Sequence, residues 1–267
     1  MPDNKVQPLE ILEVGPQNLD GEHLCCAMGT DKDSKACTLT KKDWVKSVYP
    51  QGYRFWKLPV KGKAFLEAIP AEAAWCPIQA PGWLFLDCFW VSGSGKGRGY
   101  GLQLLDHAIQ YAQQQGFLGL VALAGDKKRA FLSEGGFYKK AGFVLADTAP
   151  PYYELLALPL RDEIPSPSFL PCAKAGTDSS SGFLLYYSCH CPYTSKYVPL
   201  LQAEAEALNI PFQAVKLECA DDAQNVPNPF PTFALFFNGS FLTNEILSVN
   251  KFRKLIENNN LSTRLTP

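Results

Sequence analysis

A glycine-rich segment from Val91 to Gly101, VSGSGKGRGYG, carries the clearest chemical signal in the chain. The apolar run Trp83 to Val91 precedes it and predicts a strand, while apolar residues at helical spacing follow it from Leu102 to Ala112. Glycines let the backbone approach a ligand closely, and a helix start offers unpaired N–H groups and a positive dipole end. The segment therefore predicts a cradle for a pyrophosphate, with Lys96 and Arg98 adding positive charge.

Three phosphate-binding motifs are compatible with part of this pattern. A P-loop requires Ser or Thr after Gly-Lys, but Gly97 follows Lys96. A dinucleotide fingerprint opens a βαβ unit and has an acidic residue about 20 positions on. Asp126 fits that spacing roughly, but the loop follows several predicted strands. The third motif is an acyl-CoA loop, because KGRGYG at Lys96–Gly101 resembles the Arg/Gln-x-x-Gly-x-Gly/Ala signature of GNAT-fold N-acetyltransferases.

A second motif with the same resemblance lies downstream. Phe117 to Ala124 predicts a buried strand, and FYKKAGF at Phe137–Phe143 resembles the Tyr-x-Lys-x-Gly-Phe ending of the cofactor half of that family. The order of strand, loop, helix, strand and tyrosine-bearing helix also matches. The chain is further similar to the YoaP-type acetyltransferases, and that resemblance covers nearly all of it through three more stretches: Glu67–Trp75, Cys88–Gly93 and Phe236–Leu247.

The resemblance implies acetyl-CoA as cosubstrate and names its binding residues. The pantetheine amides would pair with the strand end formed by Phe89, Trp90 and Val91. The pyrophosphate would meet backbone N–H groups of the loop and helix start, namely Lys96, Gly97, Arg98, Gly99, Tyr100, Gly101 and Leu102. Tyr138 matches the tyrosine that protonates the departing CoA thiolate, which a phenol with an ordinary pKa of about 10 can do.

The acceptor amine must lose a proton before it attacks, so a carboxylate base is expected near the loop. Glu67 and Glu72 flank the end of an apolar strand, and burial would raise the pKa of either carboxyl toward that of a useful base. Asp87, inside the next predicted strand, is a rival. An acceptor pocket would have aromatic walls, for which the candidates are Trp75, Trp83 and Trp90.

The C-terminal part has its own candidate site. The predicted order βαβ and then ββα, with Pro231 before the third strand, resembles the minimal thioredoxin or glutaredoxin fold. The turn Cys191-Pro-Tyr-Thr194 looks like its active site with threonine in place of the second cysteine, and Pro231 stands where that fold has a cis-proline. Cys191 is predicted as a reactive thiol, with Cys189 as a substitute partner. Retention of the fold without redox chemistry stays open.

Two cysteine groups could carry other chemistry. Cys189-His190-Cys191 lacks the second ligand pair of a structural zinc site, so no metal is predicted. The adjacent pair Cys25-Cys26 is unusual, and a thiol-linked role at the acceptor site stays open for it.

The elements that must position these residues predict a mixed α/β (α+β) fold in two domains. Residues 1–160 are expected to form a GNAT acyl-CoA acyltransferase fold, with helices at Lys41–Val48 and Lys127–Lys140. A Pro-, Ser- and Gly-rich linker is expected at 161–181, and a thioredoxin-like, YoaP-type βαβ-ββα domain at 182–267.

Composition narrows the function classes. The chain has 267 residues, 46% of them hydrophobic, which suffices for two cores, and a net charge of −1, which disfavours nucleic acid as a partner. No apolar run has the length of a membrane span, and no signal peptide is evident at the N-terminus. Nine scattered cysteines then read as mostly reduced thiols in a cytoplasmic protein. A homodimer is compatible with the sequence.

Together these patterns predict an acetyl-CoA-dependent N-acetyltransferase. The acetyl group would pass by direct attack to a small-molecule or peptide amine that the sequence does not identify. The alternative is a thiol-redox or docking protein whose GNAT domain binds CoA but no longer catalyses transfer.

Overall fold

A large twisted sheet with helices on both faces forms the first part of the molecule. The computed structural model describes residues 9–24, 31–259 and 261. Three helices belong to this part: α1 (Lys32–Val48), α2 (Tyr100–Gln114) and α3 (Gly135–Lys140). Its strands are β1 (Leu12–Val14), β2 (Arg54–Lys57), β3 (Ala64–Pro70), β4 (Ile78–Gln79), β5 (Trp83–Val91), β6 (Gly119–Gly125), β7 (Ser133–Glu134), β8 (Val144–Ala149) and β9 (Tyr153–Pro159).

The sheet order is β1-β2-β3-β5-β6-β9-β8, with β7 paired to β6. Neighbours are antiparallel except for β5 with β6 and β6 with β7. The parallel pair β5 and β6 needs a crossover, which α2 provides on one face of the sheet. On the opposite face, α1 packs against the buried aromatic side chains. The mixed α/β class predicted from the sequence is confirmed.

The pairing of β5 with β6 stops halfway along β5. It runs from Trp83 opposite Gly119 to Leu86 opposite Ala122 and goes no further. Beyond Leu86, β5 pairs only with β3 on its other side, while the end of β6 pairs with β7. A bulge also lies here, because Asp87 has no Cα partner between Leu86 and Cys88. The two central strands therefore splay apart and leave one edge of β5 open from Asp87 to Val91.

Two helix predictions differ from the structure. The first helix begins at Lys32 rather than Lys41, since the Asp31 side chain caps it by accepting a hydrogen bond from the Ser34 N–H. The predicted helix Lys127–Lys140 is wrong over most of its length, and α3 is a short helix. Phe131 has a φ of 61°, which a continuing helix does not allow, and the next residues pair with β6 as β7.

The predicted linker range 161–181 contains a strand and a helix. These are β10 (Ser168–Phe169), which pairs with β4, and α4 (Pro171–Ala175). Asp147 on β8 holds this segment, since its carboxylate accepts hydrogen bonds from the Phe169 N–H and the Lys174 ammonium. The domain boundaries drawn from composition stay a prediction, but the segment between them docks on the first sheet.

The C-terminal module is a four-stranded sheet of order β12-β11-β13-β14. Its elements are β11 (Phe183–Tyr187), α5 (Pro192–Ala207), β12 (Phe212–Lys216), α6 (Ala220–Gln224), β13 (Phe233–Phe237), β14 (Ser240–Thr243) and α7 (Val249–Asn258). The predicted order of strands and long helices is present, with α6 in addition. The expected cis bond before Pro231 is not, because the only cis peptide in the described part of the chain joins Pro150 and Pro151.

Both faces of the C-terminal sheet are buried, which explains the nearly continuous apolar runs of its central strands. Phe183, Leu185 and Leu235 pack against α5 and α7. The alternate residues Leu184 and Phe236 join the core of the first part of the molecule. The module therefore uses the N-terminal sheet domain as its second covering layer. Within the described residues, no helix combines the length and apolarity that a membrane crossing requires.

Candidate functional site

The glycine-rich loop between β5 and α2 presents backbone N–H groups to the outside. Gly97 and Gly99 have φ angles of 74° and 79°, and a Cβ on either would meet nothing within 4 Å. The N–H groups of Gly97, Arg98 and Gly99 make no backbone hydrogen bond to any described residue. The first N–H groups of α2, from Tyr100 on, continue this row, since a helix start has no acceptors for them. Lys96 and Arg98 are exposed.

The start of α2 lies close to the end of β5. A Cβ on Gly101 would come within 3.4 Å of the rings of Phe137 and Phe89. Glycine at this position therefore brings the loop and the open edge of β5 together. Tyr100 is buried beneath the loop, whereas Leu102 is exposed. The residues predicted to bind the cofactor thus lie along one segment, from the open edge of β5 at Phe89 to the start of α2 at Leu102, with Tyr100 buried among them.

A cavity of about 410 Å³ opens where β5 and β6 separate. Asp87, Cys88, Phe89 and Trp90 of β5 line one wall, and Ser133 lies on another. The C-terminal module closes the cavity with residues around the start of α5 and the start of β13, among them His190, Cys191 and Thr232. Of the three tryptophans predicted to line an acceptor pocket, Trp75 and Trp90 do so, whereas Trp83 is in the core of the sheet.

Tyr138 lies directly behind the cavity wall. Its side chain is buried against Phe89, with ring centroids 6.2 Å apart, and forms a hydrogen bond with Ser133. Burial raises the pKa of Tyr138, and the bond to Ser133 opposes this. Ser133 and Phe89 line the cavity, whereas Tyr138 itself does not in this structure. The phenol is therefore one hydrogen bond away from the space between β5 and β6.

Glu67 is the centre of a buried polar cluster. One of its oxygens, Oε2, lies 2.7 Å from the Lys41 ammonium, 2.7 Å from the Tyr53 hydroxyl and 2.9 Å from His190 Nε2. Burial alone would raise the pKa of Glu67, but the charges and hydrogen bonds of Lys41 and His190 hold it at about 2. Glu67 is therefore an ionised anchor that joins α1, β3 and the C-terminal module.

The other two candidate carboxylates differ in position. Asp87, at the bulge of β5, lines the cavity, and its Oδ2 lies 3.3 Å from His190 Nε2. Burial raises the pKa of Asp87; His190 opposes this and Glu67 adds to it. Glu72 is exposed in the turn after β3 and accepts a hydrogen bond from the Gly82 N–H, away from the cavity lining.

Glu67, Asp87 and His190 bring ligand atoms within 4.8 Å of one another, a spacing that could hold a metal ion. The Lys41 ammonium already contacts Glu67 and provides a compensating positive charge. The ring of Trp44 lies under both Lys41 and His190. The cluster thus has an internal cation, so the geometry does not require a metal for charge balance.

Cys191 precedes the first residue of α5 and lines the cavity. Thr194, in the position of a second cysteine, is buried and its hydroxyl hydrogen-bonds to the carbonyls of Ser188 and Cys191. Cys189 does not share the cavity with Cys191, because it is buried in the interface with the first domain, where burial raises its pKa. Cys25 and Cys26 lie outside the described residues.

Sequence reasoning missed Lys41, Tyr53 and the chemical setting of His190. A signal for Lys41 was present, since it shares a helix face with Cys37, Trp44, Val45 and Val48, where a lone lysine calls for a buried partner. His190 gave no comparable signal, because its acidic partners Glu67 and Asp87 lie more than 100 positions away, as the separation of 123 residues from Glu67 illustrates.

Comparison with known proteins agrees with this architecture. Residues 41–143 match the acetyltransferase (GNAT) family, and residues 211–254 match the YoaP-like family. The chain is 36% identical over 245 residues to the uncharacterized N-acetyltransferase YoaP of Bacillus subtilis strain 168, covering 92% of this chain and 97% of that protein.

The comparison with solved structures found, among others, two acetyltransferases that share little sequence with the chain. One is the GNAT family N-acetyltransferase YhbS of Escherichia coli in complex with CoA, at 13% identity and a TM-score of 0.41, covering 63% of this chain and 93% of that one. Another is a GNAT acetyltransferase of Brucella melitensis in complex with acetyl-CoA, at 14% identity and a TM-score of 0.36, covering 59% and 91%. From the B. subtilis relative and the two family matches, the chain belongs to the GNAT N-acetyltransferases of the YoaP type.

Proposed function

We propose that the protein transfers the acetyl group of acetyl-CoA to the nitrogen of an amine by direct attack, without an acetylated enzyme intermediate. One observation carries the proposal: the open edge of β5 leads from the unpaired N–H groups of the loop into a cavity that contains Asp87 and reaches Tyr138 through Ser133. A long cofactor with a phosphate end and a reactive thioester end fits this continuous path.

Cofactor binding would use backbone groups almost throughout. The pyrophosphate would accept hydrogen bonds from the N–H groups of Gly97 to Leu102, and the dipole of α2 favours its negative charge. The pantetheine amides would extend the sheet along β5 from Phe89 to Val91, where β6 no longer pairs. The thioester then points into the cavity between the two strands.

Asp87 is the base that we propose for the acceptor. It lines the cavity, and burial raises its pKa, which makes the carboxylate a better proton acceptor. Glu67 is a weaker base because its pKa is held at about 2, and its contacting oxygen is already shared by three partners. Glu72 is turned toward the Gly82 N–H outside the cavity lining.

In the proposed transfer, the amine nitrogen loses two protons and the sulfur of CoA gains one. Asp87 takes a proton from the bound ammonium, and the neutral amine attacks the acetyl carbonyl carbon, so that a C–N bond forms. The tetrahedral intermediate collapses, the C–S bond breaks, and the sulfur receives a proton from Tyr138. The attacking nitrogen loses its second proton, which restores Tyr138 through Ser133 or solvent, and Asp87 returns its proton to water.

A thiol function of Cys191 is a second proposal, supported by its place at the start of α5 and in the cavity wall. The free N–H groups and dipole of a helix start favour a thiolate there. Thr194 cannot resolve a mixed disulfide, so any such chemistry would rest on Cys191 alone or end at a mixed disulfide.

Two measurements on the full chain test the main proposal. Calorimetric titration with acetyl-CoA should give saturable binding at one site. A screen of primary amines, followed by CoA release with a thiol reagent and by mass spectrometry of the acetylated product, should then find turnover that needs both substrates. Absence of acetyl-CoA binding would contradict the proposal, and binding without turnover of any amine would leave the CoA-binding docking protein as the better account.

A further inference from the structure

We infer that the C-terminal module completes the acceptor site, with His190 as a residue that positions Asp87, and that the shared cavity takes a small primary amine with an aromatic or branched aliphatic body. The inference rests on the proposed function and adds to it a substrate class and a role for the second domain. Its starting point is that one cavity is lined by residues of both units.

The walls of the cavity are mostly apolar and aromatic. Trp75, Phe85, Trp90, Phe131, Tyr193 and Phe230 all contribute to them. The volume of about 410 Å³ is near the lower end of the range for small-molecule pockets, roughly 300–1,000 Å³. A sugar or polyamine would bury several polar groups against these walls without partners, which costs free energy for each group. An apolar amine needs only one polar anchor.

That anchor is the polar end of the cavity, formed by Asp87 and His190. His190 Nε2 lies 2.9 Å from Glu67 Oε2 and 3.3 Å from Asp87 Oδ2. Because Glu67 is ionised, its oxygen can only accept, so Nε2 carries the hydrogen. His190 therefore cannot take a proton from the amine at Nε2. Its role is to hold the Asp87 carboxylate in place and in its charged form, ready for an ammonium.

The module fixes the imidazole from the other side. His190 Nδ1 lies 3.3 Å from the hydroxyl of Thr232, at the start of β13. The module itself is attached to the first domain by buried contacts close to the cavity. The Cys76 thiol donates to the Pro229 carbonyl, and the hydroxyl of Tyr153 lies 3.0 Å from the side-chain oxygen of Asn228. These contacts tie the wall that the module contributes to the first domain.

A substrate panel tests the chemical class. Acetyl-CoA is supplied at saturation, and kcat/KM is measured for 2-phenylethylamine, tryptamine and 3-methylbutylamine against spermidine, glucosamine and lysine. The apolar amines should be preferred by at least about fivefold, since one buried unpaired polar group costs about 1–3 kcal/mol, or about 5- to 150-fold. Preference for the polar amines, or no turnover of any apolar amine, would overturn the assignment of class.

A pair of variants tests the role of His190. In His190→Leu, kcat should fall by up to about 10²-fold with acetyl-CoA affinity unchanged, because the base is no longer held in position. His190 favours the charged form of Asp87, so its loss should also raise the pKa of Asp87 and move the acid limb of the kcat–pH profile to higher pH. Other groups that face Asp87 stay in place: Lys41, Tyr53, Glu67 and Cys76.

The matched control is His107→Leu, a half-buried histidine on α2 that packs against Trp56 outside the cavity, and it should move neither quantity. If His190→Leu does not fold, Thr232→Val removes the partner of Nδ1 with little change of shape and should shift the acid limb in the same direction. A normal kcat and an unshifted acid limb of the kcat–pH profile in these variants would overturn the positioning role of His190. If the wild type itself did not bind acetyl-CoA, that result would instead contradict the proposed function.

Discussion

The phosphate loop and the acceptor cavity are built in opposite ways. The loop is contiguous in sequence, is exposed from Lys96 to Gly99, and offers backbone N–H groups. The cavity lies between two domains, and its polar end is formed by Asp87 of the first and His190 of the second, which also contacts Glu67. Local backbone conformation creates the first site, and packing of distant side chains creates the second. A cofactor shared by a whole family can use the first kind, whereas selectivity for an acceptor needs the second.

Tyr138 is the proposed general acid, and it contacts the cavity through Ser133. Its substitution should therefore affect transfer of the acetyl group and leave cofactor binding at the loop intact. Tyr138→Phe removes only a hydroxyl and should lower kcat by about 10²–10⁴ while acetyl-CoA affinity is unchanged, because the leaving thiolate loses its acid. Tyr111→Phe on α2, outside the cavity lining, is the control and should leave kcat unaltered. An unaltered kcat in Tyr138→Phe would indicate that water, and not Tyr138, protonates the departing CoA thiolate.

Glu67→Gln tests whether the cavity depends on the interdomain cluster. Removing the carboxylate leaves the buried Lys41 ammonium without its counter-charge, so urea unfolding at pH 7 should show a loss of about 3–5 kcal/mol. Glu72→Gln, an exposed carboxylate with one hydrogen bond to Gly82, should cost less than about 1 kcal/mol. Equal stabilities of the two variants would mean that the cluster does not hold the domains together.

The same pair of variants has a pH signature. Glu67 has a pKa of about 2 in the folded protein against 4.5 ordinarily, so the ionised carboxylate stabilises the fold above pH 4.5. That contribution is lost as the pH falls from about 4.5 to about 2. The free energy of unfolding of the wild type should therefore decline across this window more steeply than that of Glu67→Gln. Equal slopes of the free energy of unfolding against pH in the two proteins would contradict the assignment of Glu67 as ionised in the folded state.

Gly99→Val acts on the loop alone. At a φ of 79° a β-branched residue is strained, and any relief of that strain changes the row of N–H groups. The Kd for acetyl-CoA should rise by about 5- to 150-fold, which corresponds to a strain of about 1–3 kcal/mol. Gly176→Val, with a φ of 61° and equally open space at the end of α4, should not change the Kd. Equal affinities in Gly99→Val and wild type would show that the loop does not bind the cofactor.

The smallest expected effect concerns Cys191. Alkylation followed by mass spectrometry across a pH series should give a thiol pKa below the ordinary value of about 8.5, because of the helix start. Cys219, at the start of the five-residue helix α6 and exposed, provides an internal comparison. A value for Cys191 at or above 8.5 would remove the case for thiol chemistry.

Prediction from sequence succeeded where local patterns decide the structure. The strand Trp83–Val91, the loop, and the strand Phe183–Tyr187 have the predicted bounds, since apolar runs ended by glycine or polar residues admit few alternatives. It failed where tertiary contacts override propensity. The segment Lys127–Glu134 has helix-forming residues, yet pairing with β6 turns its end into a strand. The role of His190 could not be predicted from the sequence, because its contacts with Glu67 and Asp87 form only when the module packs against the first domain.

The most direct test of the account is a crystal structure of the protein with CoA. The pyrophosphate oxygens should lie within hydrogen-bonding distance of the N–H groups of Gly97 to Leu102. The pantetheine amides should pair with β5 between Phe89 and Val91, and the sulfur atom should lie in the cavity that Asp87 and His190 share. CoA bound elsewhere, or a sulfur atom outside that cavity, would contradict it.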